Sequence, residues 1–122
     1  MSNQIQNPND KRKYDLAERT ARFGENVIDF VSGLPTSVIN KPLVSQVIRS
    51  ATSIGANYME ADGASSKKDF QHRIGICKRE AKETMYWFRM LAKPNPEKAD
   101  KCRELWKEAH ELALIFSAIG RK

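Results

Sequence analysis

Apolar residues recur along this chain at intervals of three and four, the spacing that lines one face of an α-helix. Leu16, Thr20, Phe23, Val27 and Phe30 form the first stripe, and Gly33 and Pro35 end it. The second runs through Val44, Val47, Ala51, Ile54 and Tyr58 and closes near Asp62-Gly63. Asn40 is its expected cap, with Pro42 in the first turn. Phe70, Ile74, Cys77, Ala81, Thr84, Phe88 and Leu91 form the third, starting at Ser65 or Ser66 and stopped by Pro94. Asp69 suits the positive N-terminal end of that helix. Asn95-Pro96-Glu97 reads as a cap, a first-turn proline and an acid, which restarts the helical pattern. Cys102, Leu105, Ala109, Leu112, Phe116 and Ile119 follow, ended by Gly120 and Arg121-Lys122. No segment alternates with period two and carries hairpin turn chemistry, so no strand is predicted.

Four such helices with short connections fold most simply as an all-α, up-down-up-down antiparallel four-helix bundle. Residues 1–13, polar and carrying Lys11-Arg12-Lys13, are expected to be a disordered tail. Residues 14–122 are expected to form one domain, since 122 residues support a single modest core. Ile76, Trp87 and Met90 on the third helix lie beside its main stripe, as do Trp106, Ala113, Leu114 and Ile115 on the fourth. Such width is either ordinary for a bundle helix or a subunit interface. We expect a homo-oligomer.

Composition narrows the class. The chain is 40% hydrophobic and 30% charged, which is globular. Its longest apolar stretch, Leu112 to Ile119, is interrupted by Ser117 and falls short of the roughly 18 to 20 residues of a membrane span. Residues 1–13 have no apolar signal-peptide centre, and two cysteines make no disulfide framework. A cytoplasmic location without membrane contact is the expectation.

The net charge of +6 is unevenly placed. Residues 63–93 hold Lys67, Lys68, Arg73, Lys78, Arg79, Lys82, Arg89 and Lys93 against only Asp69, Glu80 and Glu83. Lys68, His72, Gly75, Arg79, Lys82, Tyr86, Arg89 and Lys93 follow 4-3-4-3-4-3-4 spacing and share one face without an acid. That face is about 200° from the Phe70–Leu91 stripe, so it points to solvent. Cations at this spacing can pair with phosphates, and a tyrosine can stack on a base. The plainer reading is a solvated face of long side chains.

Other chemistry is thin. A di-iron bundle needs Glu-x-x-His pairs, but position 107 is Lys and position 69 is Asp. Cys77 and His110 fall at one level of the third and fourth helices, yet two ligands do not complete a zinc site. Cys77 and Cys102 are expected about 12 Å apart and reduced. Asn57, Glu60, Glu80 and Glu83 are expected as a hydrogen-bonded patch setting helix register, with Arg49 or Lys82 as counter-ion. There is no Walker loop, GxGxxG, HExxH or CxxC. No catalytic residue, metal site or cofactor is assigned, and the chain is not expected to be an enzyme.

Three segments carry a resemblance: Arg49-Ser50-Ala51-Thr52-Ser53-Ile54-Gly55-Ala56-Asn57-Tyr58-Met59-Glu60-Ala61, Ser66-Lys67-Lys68-Asp69-Phe70, and Ile76-Cys77-Lys78-Arg79-Glu80-Ala81-Lys82-Glu83-Thr84-Met85-Tyr86-Trp87. Over about residues 14–120 the chain resembles the bacterial four helix bundle protein family. That family is also called the ribosomal-RNA intervening-sequence protein family and is related to the accessory variability protein of diversity-generating retroelements. Many members end the second helix in Asn-Ile-x-Glu-Gly. Here Asn57-Tyr58-Met59-Glu60-Ala61 stands there and the glycine is delayed to Gly63. The resemblance implies a four-helix bundle assembled as a ring-like homopentamer, with nucleic-acid binding in the retroelement relatives. It supplies no catalytic residue.

The expected activity is therefore RNA or DNA binding through Lys68, Arg79, Lys82, Tyr86, Arg89 and Lys93. The alternative is an adaptor that holds a protein partner on an apolar surface containing Trp87 and Trp106.

Overall fold

The computed structural model describes the backbone of residues 11–121 and the side chains of residues 16–121. Four α-helices account for most of it: α1 (Lys11–Ser32), α2 (Asn40–Asp62), α3 (Lys67–Ala92) and α4 (Ala99–Gly120). A 3₁₀ turn, Pro96–Lys98, leads into α4. Strands are absent among the described residues. Helix α1 takes in Lys11–Lys13, while residues 1–10 of the expected tail lie outside the described residues. No described helix is long and apolar enough to cross a membrane.

The stripes become the core. Phe23, Val27, Val47, Ala51, Ile54, Ile74, Cys77, Ala81, Phe88, Leu91, Leu112 and Phe116 are all buried. Phe30 and Phe88 meet across the α1–α3 diagonal at 6.2 Å, and Tyr58 and Phe116 across the α2–α4 diagonal at 6.1 Å. Aromatic pairs at this separation add to the burial of their area. Among the described residues, every buried side-chain nitrogen and oxygen has a hydrogen-bond partner.

Contacts give the sense of each pair. Gly24 faces Thr52 while Gly55 faces Thr20, so α1 and α2 run antiparallel. Arg73 bonds Asn57, Cys77 reaches Ile54, and Thr84 bonds Ser50, so α2 and α3 do too. Ile74, early in α3, lies against Gly120 at the end of α4. A Cβ on Gly55 would stand 3.2 Å from Thr20 Oγ1, so this glycine sets how closely α1 approaches α2. By contrast α1 and α4 stand apart, with a cleft of about 670 Å³ between them. Arg19 spans it, donating to Glu108 at 2.7 and 2.8 Å and to Glu111 at 2.7 Å. Those carboxylates, Glu108 foremost, hold the guanidinium still more firmly protonated.

Two expected caps do other work. Ser37 Oγ accepts from Asn40 N at 2.9 Å, so Ser37 covers the start of α2. The Asn40 side chain turns inward and donates to Pro35 O and Asn95 Oδ1. Asn95 donates back to Asn40 Oδ1 and to Leu91 O, each at 2.9 Å. Both amides are buried, at 3% and 1% exposure. Removed from water they must be bonded, and by bonding each other they tie the α1–α2 connection to the α3–α4 connection. Ser66 does cap α3, accepting from Asp69 N at 3.0 Å.

Candidate nucleic-acid interface

Helix α3 packs against α2 and α4 through Ile74, Cys77, Ala81, Thr84, Phe88 and Leu91, all buried. A helix that buries one stripe must show the opposite one. Lys68, His72, Gly75, Arg79, Lys82, Tyr86, Arg89 and Lys93 are all exposed, and Tyr86 keeps 53% of its surface. From Lys68 to Lys93 the row is about 37 Å long at 1.5 Å per residue. At Gly75 an added Cβ would meet nothing within 4 Å, so packing in this chain does not require glycine there.

The two central carboxylates of α3 are engaged from α2, although Glu83 still feels Arg79 of the row. Glu80 accepts from Arg49 of α2 at 3.4 Å, and Glu83 accepts from the same guanidinium. Glu83 also accepts from the Trp87 indole N–H at 3.0 Å. That bond first, and Arg49 second, hold the Glu83 carboxyl below the usual carboxylate range. Among the described residues, no ion pair takes Lys68, Arg79, Lys82, Arg89 or Lys93. Trp87 in turn meets Tyr86 edge-on, ring centres 5.0 Å apart and planes at 73°.

The expected polar patch separates into two sets. Arg49 serves Glu80 and Glu83, so it, not Lys82, is the counter-ion. Asn57 donates to Ser53 O and Oγ and accepts from Arg73 at 3.1 Å. Glu60 is exposed and belongs to neither set. The Arg49–Glu83 pair is among the expected counter-ion contacts; the further step from Glu83 to Trp87 is not, and its legible signal is their i, i+4 spacing.

Metal and thiol chemistry find no constellation. No group of three or more His, Cys, Asp or Glu among the described residues is placed to hold a metal ion. His110 lies against Trp106, ring centres 5.2 Å apart. Cys77 and Cys102 are free and buried. Burial pushes the Cys77 thiol up to about 12, and Cys102 moves the same way for the same reason. Since the thiolate is the reactive form, neither is poised as a nucleophile. Trp87 and Trp106 are half-buried against the core. More open apolar side chains stand elsewhere: Leu114 at 57%, and Ile28 and Met59 at 43% and 64% beside a shallow α1–α2 groove.

The family model described as 23S rRNA-intervening sequence protein matches residues 12–118. Among solved structures, the chain is similar to a protein of unknown function from the S23 ribosomal protein family of Bacteroides thetaiotaomicron VPI-5482. The TM-score is 0.75 at 24% identity, covering 88% of this chain and 99% of that one. At that identity the likeness speaks for the fold. No protein of curated function matches the chain.

Proposed function

The chain belongs to the 23S rRNA-intervening sequence protein family, and we propose that it is a non-enzymatic homo-oligomer that binds RNA or DNA through the exposed face of α3. The observation that carries this reading is the division of charge on α3. Its central carboxylates are occupied by Arg49 on the α2 side, while its cations line the solvent side. A row of lysine and arginine that contains no acid of its own concentrates positive potential where phosphates can approach. Lys68, Arg79, Lys82, Arg89 and Lys93 contact phosphates, and Tyr86 meets a base. A pentamer, the assembly the family resemblance implies, repeats the row around a ring and multiplies weak contacts. We place this activity in the cytoplasm.

Fluorescence anisotropy of the purified protein with a structured RNA and a DNA duplex, at low and physiological salt, tests this. The expected result is binding that weakens steeply with salt and is lost when Arg79, Lys82 and Arg89 are replaced by Glu. The variant should keep the parent's oligomeric mass. Absence of binding to both ligands at low salt overturns the reading.

A second reading, an adaptor for a protein partner, draws on the exposed Leu114, Ile28 and Met59 in addition to Trp87 and Trp106. Apolar association responds far less to salt than phosphate contact does, so the same titration separates the two.

A further inference from the structure

We propose that α3 is built to take a single strand, with Tyr86 as a stacking platform for one unpaired base and the Arg49–Glu83–Trp87 chain as its positioning support. The inference rests on the nucleic-acid reading above and narrows its ligand.

The geometry separates stacking from simple charge attraction. Tyr86 stands in the cation row, with Lys82 four residues before it and Arg89 three residues after. Along the helix axis these lie about 6 Å and 4.5 Å away, so phosphates on either side of a stacked nucleotide meet a cation on either side of the ring. More than half of Tyr86 is open. Its contact with Trp87 is edge-on, and such a contact covers at most one face of the tyrosine ring. With more than half of the residue in solvent, the ring keeps open surface for a base. In a duplex that base face is already covered by its neighbours, and exposing it costs a few kcal/mol of unstacking. A single strand presents the face without that cost.

An exposed aromatic ring ordinarily loses rotamer freedom when it binds. Here the freedom is already restricted. Arg49 on α2 holds Glu83, Glu83 accepts the Trp87 indole N–H, and Trp87 stands against Tyr86. The platform on α3 is thus braced from α2. Arg49 and Glu83 touch no ligand in this arrangement; they are positioning residues that act through Trp87.

The test compares a short oligothymidylate with an abasic oligonucleotide of equal length, which keeps the phosphates and removes the bases. Binding of each to the full chain is measured by anisotropy at low salt. We expect the thymidylate to bind about 5- to 150-fold more tightly than the abasic strand, the range that one stacked base supplies. Tyr86→Ala should erase that ratio and leave the abasic affinity unchanged. Tyr86→Phe should retain it, and Glu83→Gln should reduce it. The ratio is a readout that a merely structural loss would not move, because both ligands would weaken together. Equal affinity of the parent protein for both strands, with binding still lost on Arg79/Lys82/Arg89 reversal, overturns the stacking platform and leaves the electrostatic reading standing. A ratio that survives Tyr86→Ala likewise overturns it. Failure of both strands, the structured RNA and the duplex to bind at low salt overturns the parent reading and this one together.

Discussion

One charge arrangement occurs at two seams of this bundle, in different surroundings. At the α2–α3 seam, Arg49 meets Glu80 and Glu83. At the α1–α4 seam, Arg19 meets Glu108 and Glu111. Each is one arginine facing two glutamates three residues apart. Beneath Arg49 the helices are in close contact: Ser50 and Thr84, both fully buried, bond at 2.8 Å, and Cys77 reaches the Ile54 carbonyl. Beneath Arg19 lies the cleft. Where apolar packing already closes a seam, an ion set adds little to holding it and is available to arrange charge and side chains. Arg49 does this by drawing two carboxylates off the cation row and bracing Trp87. Where the helices stand apart, the ion set spans the gap above an apolar floor.

The largest expected effect comes from removing the apolar floor of the open seam. Phe23 is only 2% exposed and lines the cleft beneath Arg19. Phe23→Ala should lower unfolding free energy by about 3–5 kcal/mol, read from urea midpoints. A loss below about 1 kcal/mol would mean that α1 closes onto α4 to fill the hole, and the contrast between a closed and an open seam would fail.

A smaller effect separates the two arginines directly. Arg19 is two-thirds buried and bonds Glu108 with two nitrogens, whereas half of Arg49 is exposed. Bidentate, partly shielded pairs are stronger than solvated ones. Double-mutant cycles to Ala should give a coupling of about 1 kcal/mol for Arg19–Glu108 and a few tenths for Arg49–Glu83. The reverse order would show that the α2–α3 ion set holds its seam after all.

The smallest effect is a dependence on acid. Glu83 has its carboxyl held low by Trp87 and then Arg49. A depressed folded value means that its contribution is present above the unfolded value of about 4.3 and is lost as the pH falls below it. Because Glu83 is one-third exposed, the contribution is screened. Thermal unfolding of the parent and Glu83→Gln should therefore converge slightly as the pH drops from 6 to 3 (roughly the range over which a carboxylate titrates). A gap that widened on acidification would reverse the sign of the argument and remove Glu83 as the stabilised carboxylate.

The helices and the cation row were legible because each depends on position within one segment. The 4-3 spacing that placed Cys77 and Phe88 inside also placed Arg79 and Tyr86 outside, since both follow from one rotation per residue. The caps were less legible. Asn40 and Asn95 have residue types and positions that suit a helix start, and local pattern has no means of showing that each is the other's partner. The polar patch failed for a related reason. Glu60 shares its composition with Glu80 and Glu83, but only the latter two are met by a cation across the seam.

By itself the sequence determined four helices, their apolar stripes, their stops at Gly33, Gly63 and Pro94, and a face of α3 rich in cations. These are short-range properties, fixed by backbone periodicity and by what proline and glycine do to it. Tertiary structure decided which heights on neighbouring helices coincide. Arg49 finds Glu83 34 residues away, Asn40 finds Asn95 55 residues away, and Arg19 finds Glu108 89 residues away. Periodicity states which side of a helix a residue occupies. Only core packing sets how far one helix slides along the next, and that slide turns a set of charges into the braced, acid-free face of α3.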